Sequence, residues 1–352
     1  GGGSGRRPGR GVGGLGLCLL AVAPWLAEPA DLEEAYGLKK PEDSRGTSKP
    51  PLQAPFRERM RNIKPYDDIV RQVAQNCHGK GGVRRSFELA GRKPRPGERK
   101  PPPPTDLEKK AMSLATSRCA RYAKATLSDP SRWPEADSRF PEVCFVGRSN
   151  VGKSSLLNKI SSFGTIAAVS SMPGRTKHVS WYRNRKVKLD VLDMPGYGHA
   201  DRARVFGPEA LKFVKTRKSL RAVYVLIDAR HGFKHTDHEW LSELGAEGPP
   251  KQIILTKCDL VAPKQLIKVA SLARSDLEGF RRVEHKLLLC SSVTEAGLHD
   301  VRLDICRRCG IGAKRAEPAE DDAAALDRPR AARPVAMRSY RNDYDIDDMD
   351  DL

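Results

Sequence analysis

From residue 142 onward the chain alternates regularly. Short apolar, β-rich runs at Glu142–Val146, Val187–Leu192, Ala222–Ile227, Gln252–Leu255 and Lys286–Cys290 are separated by stretches of helical periodicity. The helical stretches are Ser154–Ser162, Pro208–Ser219, Asp237–Leu244, Lys264–Leu277 and Leu298–Arg308. Apolar runs without polar alternation fit strands buried on both faces. Strands spaced by helices fit an α/β fold with a mostly parallel sheet flanked by helices. Ligands in such sheets bind at the carboxyl ends of the strands.

Outside residues 141–312 this pattern fails. Residues 31–140 are crowded with Pro, Gly, Arg and Lys and include the run Pro101 to Pro104. Such a segment has too little apolar surface to offset its ordering entropy and is expected to be a largely disordered extension. Its one candidate element is a short charged helix at Arg57–Gln75. Residues 313–352 form a second expected disordered tail, acidic in character. Residues 1–30 look like an address: Arg6, Arg7 and Arg10 precede the apolar run Leu15 to Ala27, with no acid before Glu28. That run is too short to span a bilayer comfortably, and fits a signal-peptide core or an organelle presequence.

Charge sharpens the picture. The 352-residue chain carries a formal +19. From Ala316 to Leu352 there are five Lys/Arg against eleven Asp/Glu, so setting aside this tail's −6 leaves +25 on residues 1–315. Such a balance serves solubility or an anionic partner, most simply RNA. The eight cysteines form no disulfide framework, and Cys306-Arg-Arg-Cys309 lacks the second ligand pair that a metal site needs.

The candidate chemistry falls at the strand ends. Gly147-Arg148-Ser149-Asn150-Val151-Gly152-Lys153-Ser154-Ser155 has the spacing G-x-x-x-x-G-K-[ST] between a strand and a helix. Its glycines let backbone N–H groups close around phosphates at a helix N-terminus. Lys153 is placed to reach the β and γ phosphates, and Ser154 to ligate Mg²⁺. This loop alone leaves ATP and GTP open. Thr256-Lys257-Cys258-Asp259 follows the run Gln252–Leu255, where Asp259 can accept both N–H donors of a guanine edge and Lys257 can pack along the base. Adenine lacks that donor pair and would strand a desolvated carboxylate. Ser291-Ser292-Val293, after Lys286–Cys290, can bring a backbone N–H to the guanine oxygen.

Asp193-Met194-Pro195-Gly196 follows Val187–Leu192. Asp193 is positioned to hold Mg²⁺ and the Gly196 N–H to sense the γ-phosphate. Between the two, Gly174-Arg175-Thr176 supplies Thr176, a further hydroxyl for Mg²⁺ and the γ-phosphate. Lys153, Thr176 and Gly196 are thus the expected catalytic contacts, and Ser154, Thr176 and Asp193 the metal ligands. The loop Phe163–Val179 and the segment Tyr197–Phe206 would be switches ordered by GTP. Tyr197 stands where signalling GTPases carry a water-orienting Gln, so hydrolysis needs another group. His199 is one candidate, as a base or as a partner contact.

These stretches, "GRSNVGKSSLLNKI", "MPGRT", "DMPGYGHA", "DARH" and "TKCD", resemble the EngB/YihA family of translation-factor-class GTPases over about Glu142 to Gly310. The resemblance implies a GTP/GDP-binding, GTP-hydrolysing P-loop domain that assists assembly of the large ribosomal subunit. In eukaryotic members it implies an organelle matrix, mitochondrial or plastid. Unpaired thiols agree with that compartment better than with secretion. The implied partner is the large subunit or its rRNA, with no stable membrane association and a monomeric state. Resembling families with Asn at position 150 that lack the switch Gln are activated by K⁺. Here Asn150 either faces such a cation or hydrogen-bonds within its loop. The competing functions are a signalling or trafficking switch, for which the chain end Asp-Asp-Leu offers no lipidation Cys, and an RNA scaffold with weak hydrolysis.

Overall fold

A computed structural model describes residues 56–76, 78–79, 103–161, 178–197 and 203–312. Its seven-stranded sheet has the order β1-β3-β4-β2-β5-β6-β7. The strands are β1 (Ala120–Thr126), β2 (Glu142–Gly147), β3 (His178–Asn184), β4 (Leu189–Asp193), β5 (Leu220–Asp228), β6 (Lys251–Thr256) and β7 (Leu288–Leu289). From β4 to β7 all neighbours run parallel; β3 is antiparallel to both β4 and β1. The helices are α1 (Phe56–Asn62), α2 (Asp67–Gln75), α3 (Asp106–Thr116), α4 (Lys153–Ile160), α5 (Ala203–Thr216), α6 (His235–Leu244), α7 (Pro263–Leu277) and α8 (Leu298–Arg308). The sheet is therefore the mostly parallel, helix-flanked one that the alternation implied.

The uninterrupted apolar runs have a direct cause. Cys144 and Val146 of β2, with Val223, Val225 and Ile227 of β5, face one core that α5, α6 and α7 close. Their neighbours Val143 and Phe145, with Ala222, Tyr224 and Leu226, face a second core closed by α3, α4 and α8. Successive strand residues point to opposite faces, so a strand covered on both sides needs apolar groups at nearly every position.

Two parts of the sheet depart from the expected pattern. Strand β3 begins inside the expected loop Phe163–Val179, and β1 with α3 lies in the segment expected to be a disordered extension. Both strands are antiparallel and near the edge, and neither carries an uninterrupted apolar run: β1 has only Ala125 fully covered, and β3 buries the polar Ser180 and Asn184 among its apolar residues. Polar residues fill the open face and erase the apolar run. Helix α3 carries a capping box, with the Thr105 N–H donating to Glu108 (2.6 Å) and the Glu108 N–H to the Thr105 hydroxyl (3.3 Å). Thr-x-x-Glu at 105–108 was the legible signal for it. The folded unit thus takes in residues well before 141.

The stretch Arg57–Gln75 forms two helices, because Pro65 has no N–H to continue the first. Ile69, Val70 and Val73 of α2 are buried, and Arg59 of α1 forms an ion pair with Asp276 on α7. Helix α5 begins five residues before its expected start, with Pro208 inside it. The targeting segment 1–30 and the tail 313–352 lie outside the described residues.

Glu142 anchors the base of the central strand. Its carboxylate accepts from Arg217 Nε (2.8 Å) and Nη2 (2.6 Å) and from the Ser219 hydroxyl (2.6 Å). The side chains are 1% and 9% exposed, so loss of either partner strands a buried charge. Arg217→Ala is expected to destabilise the fold by about 3–5 kcal/mol, read as a lowered urea midpoint at unchanged slope.

Candidate functional site

The loop after β2 is built for close backbone approach. Gly152 and Asn150 sit at φ +96° and +63°, in the left-handed region that Gly and Asn tolerate. A Cβ on Gly147 would lie 2.9 Å from Val151 Cγ1 and 3.0 Å from the Leu226 carbonyl oxygen. Helix α4 starts at Lys153, with Ser154 and Ser155 half-buried in its first turn. Its free N–H groups form the positive end that favours an anion.

Lys153 and Asp193, forty positions apart, form an ion pair at the ends of neighbouring strands, each side chain 9% exposed. Pairing of β2 with β4 brings them together, Phe145 standing opposite Asp193. Beyond β4, the Met194 N–H donates to the Phe145 carbonyl (3.2 Å) and the Tyr197 N–H to the Gly147 carbonyl (3.3 Å). The turn through Met194, Pro195 and Gly196 is thereby stitched onto the phosphate loop. A Cβ on Gly196 would lie 3.3 Å from the Ser149 N and Oγ. Gly174, Arg175, Thr176 and His199 lie outside the described residues.

Strand β6 delivers the third group. The Thr256 hydroxyl donates to the Val151 carbonyl (2.6 Å) and lies 3.2 Å from that of Ile227. Lys257, at φ +57°, donates to the Asn150 carbonyl (2.5 Å) and forms an ion pair with Asp228 (2.9 Å). Burial pushes the Asp228 carboxyl up, but Arg230 and Lys257 outweigh it and hold it below the usual range. Asp259 is half-buried and makes no hydrogen bond or ion pair among the described residues. After β7, the Ser291 N–H donates to the Ala296 carbonyl (3.0 Å), and the Ser291 hydroxyl accepts from the N–H groups of Val293 and Thr294. The Ser292 N–H has no such partner among the described residues, whereas Val293 is 80% exposed.

Two sets of contacts were not foreseen from the sequence. Asp228 and Arg230 of the stretch "DARH" steady Lys257. Tyr197 is buried: its hydroxyl donates to Asp237 (3.0 Å) and its ring stacks on Trp240, centroids 5.4 Å apart. Burial pushes the Asp237 carboxyl up to about 6, against the pull of the Lys234 N–H. Tyr197 is therefore committed to α6 and does not take over the water-orienting role of the missing Gln. No sequence spacing pointed to Asp237, because the pair is made by packing.

The family profile described as "50S ribosome-binding GTPase" matches residues 142–257. A probable GTP-binding protein EngB of Caulobacter vibrioides is 36% identical over 176 residues, covering 49% of this chain and 76% of the relative. The chain belongs to the EngB family. A probable EngB of Nitrobacter hamburgensis is 39% identical over 174 residues, covering 48% of this chain and 80% of its own length. A crystal structure of a probable GTP-binding protein EngB aligns with TM-score 0.37 at 18% identity, over 48% of this chain and 98% of that one.

EngB membership makes this a GTP-binding domain, and the described residues fit the ligand. Lys153 and Asp193 are brought together beside an open helix N-terminus, and Asp259 is a carboxylate without a donor. Among the described residues no three His, Cys, Asp or Glu side chains cluster to hold a metal. A Mg²⁺ held by one carboxylate, hydroxyls, waters and the nucleotide's phosphates needs no such cluster. The described cysteines are unpaired and, apart from half-covered Cys309, buried. Burial pushes the Cys306 thiol up to about 11, which suits a small core residue. Asp259→Asn is expected to lower GTP affinity at least about tenfold and to raise affinity for XTP, since an amide can donate to the oxygen xanthine carries in place of the guanine amine. Competition binding against labelled GDP reads both shifts.

Proposed function

We propose that this protein is a Mg²⁺-dependent GTP hydrolase that acts as a switch in assembly of the large ribosomal subunit within an organelle matrix. The observation that carries the nucleotide part is the unpaired Asp259 at the end of β6, beside a Lys257 tied to the phosphate loop. Ribosomal work is supported by the matching family's description and by the +25 on residues 1–315. The acid-free, Arg-bearing stretch 1–27 supports the organelle. Among the described residues no helix is long and apolar enough to cross a membrane.

In this reading Ser154, Asp193 and Thr176 hold Mg²⁺, which when bound neutralises charge on the β and γ phosphate oxygens. Lys153 exchanges its partner Asp193 for those oxygens. The Gly196 N–H reports the γ-phosphate, and the hydrogen bond from Tyr197 to the Gly147 carbonyl ties that report to the phosphate loop. Thr256 and Lys257 steady the loop by binding the carbonyls of Val151 and Asn150, while Asp259 and the Ser292 N–H read the base. The test is sedimentation of the tagged full chain with organelle ribosomal subunits. A GTP analogue should shift it onto the large subunit and GDP should release it; equal distribution in both nucleotides rejects the switch.

Hydrolysis needs a group in place of the absent Gln, and we assign it to a monovalent cation beside Asn150. The left-handed backbone there and the Lys257 contact to its carbonyl leave the exposed side chain to act. A cation at that position neutralises charge developing on the leaving oxygen. Turnover at constant Mg²⁺ and ionic strength should be at least about tenfold faster in K⁺ than in Na⁺, and Asn150→Ala should abolish the difference. Equal rates in both salts would leave Asn150 a loop-structural residue.

A further inference from the structure

At the β1 edge of the sheet, away from the nucleotide loops, a cavity of about 400 Å³ is lined by Arg118, Tyr122, Arg183, Arg185 and Lys186, with Ser117 at its back. Arg118, Arg185 and Lys186 are exposed and form no ion pair among the described residues. Arg121 and Lys124 on β1 and Lys188 in the β3–β4 turn extend the same sign. Nearby acids are already neutralised: Asp190 by Arg183 (2.7 Å), and Asp137 by Arg139 (3.0 Å). Lys and Arg on an edge strand by themselves guard against pairing with another sheet. That account covers Arg121 and Lys124, but not Arg118, Arg185 and Lys186, which lie outside the strands.

The aromatic in this groove is held rigidly. Arg121 pairs with Tyr182 and Ala123 with Trp181, so Tyr122 is the extra residue of a β-bulge. Bulges re-aim a side chain out of the strand's alternation. Tyr122 is 41% exposed although its hydroxyl donates to Asp190 (2.8 Å) and the Arg183 guanidinium lies over one face of its ring, 4.6 Å from the centroid. Behind it, Asn184 Nδ2 donates to the Ser117 hydroxyl (2.7 Å), and Asn184 Oδ1 accepts from the N–H groups of Lys186 (3.1 Å) and Val187 (3.2 Å). The helix end that carries Arg118 and the turn that carries Arg185 and Lys186 are thereby locked into one wall.

We propose that this groove binds a single-stranded segment of RNA, with Arg118, Arg185 and Lys186 on the phosphates and a base stacked against Tyr122. Unpaired cations beside a fixed, exposed aromatic match what single strands offer, phosphates along one side and π-faces along the other. The inference rests on the RNA-partner reading above and gives it a place on the surface.

The probe is a fluorescein-labelled oligouridylate of about 12 nucleotides, titrated with the full chain across a salt series. The triple variant Arg118→Glu, Arg185→Glu, Lys186→Glu is compared with a charge-matched triple on other faces, Lys212→Glu, Lys264→Glu, Arg281→Glu. The groove triple should bind at least about tenfold more weakly than the control triple, with the log–log salt slope reduced by about 2. Tyr122→Leu should lose about fivefold or more, and Tyr122→Phe should keep wild-type affinity for the oligomer. Melting temperature and GDP affinity, matched across the variants, separate these effects from misfolding. If wild type fails to bind the oligomer, the RNA-partner reading itself falls. If it binds and the two triples weaken equally, only the groove assignment falls. Loss of subunit sedimentation with oligomer binding intact would give the groove to a protein and overturn the proposal.

Discussion

Parallel pairing of β2 with β4 on one side and β5 on the other is the constraint from which the site follows. Three buried strands running the same way must all end at one edge, and the chain can only leave each of them there. The phosphate loop after β2, Asp193 at the end of β4 and Asp228 at the end of β5 are therefore neighbours because of strand direction, and the parallel pairing of β5 with β6 brings the Lys257 turn to the same edge. The ion pair between Lys153 and Asp193 is the chemical expression of that geometry. The anchor at the opposite end, Glu142 with Arg217 and Ser219, holds the central strand in register and so sets how far each loop projects.

The turn after β4 is gripped from two sides. Backbone bonds to Phe145 and Gly147 tie it to the phosphate loop, and Tyr197 ties it through Asp237 and Trp240 to α6. A rearrangement that carries Tyr197 away would uncover a large ring and leave the Asp237 carboxylate short of a donor in a buried place, which is costly. The Tyr at this position thus anchors the turn to α6 rather than standing in for Gln. The polar triad of Ser117, Asn184 and Ser161 plays a similar role at the other side of the sheet. Ser161 closes α4, the helix that begins in the phosphate loop, and its hydroxyl donates to the Ser117 carbonyl (2.5 Å). The basic groove and the nucleotide helix therefore share a rigid wall.

The parallel half of the sheet was legible because burial on both faces leaves an unmistakable apolar run, as in Val143 to Val146 and Ala222 to Ile227. Helix α8 matched its expected range because Gly297 and Cys309 bracket one clean amphipathic period. Strands β1 and β3 were not legible: His178–Asn184 buries Val179 and Trp181 on one face but follows them with Arg183, and sets Ser180, Tyr182 and Asn184 on the other. Residues 103–140 read as extension because their Pro, Arg and Lys content masks a capping box and a half-buried edge strand.

The sequence by itself determined the ligand chemistry. A phosphate loop works through backbone N–H groups presented by glycines at fixed spacing, and a guanine reader is a carboxylate two residues beyond a Lys, so both are local and written in order. Tertiary structure alone decided which side chains were left over. Lys257 is occupied by Asn150 and Asp228, Tyr197 by Asp237, and Arg183 by Asp190, whereas Asp259, Arg118, Arg185 and Lys186 keep unpaired charge among the described residues. Pairing and burial are properties of distance in the folded chain: Asn150 and Lys257, 107 positions apart, and Tyr197 and Asp237, 40 apart, meet only when the sheet closes and its helices pack.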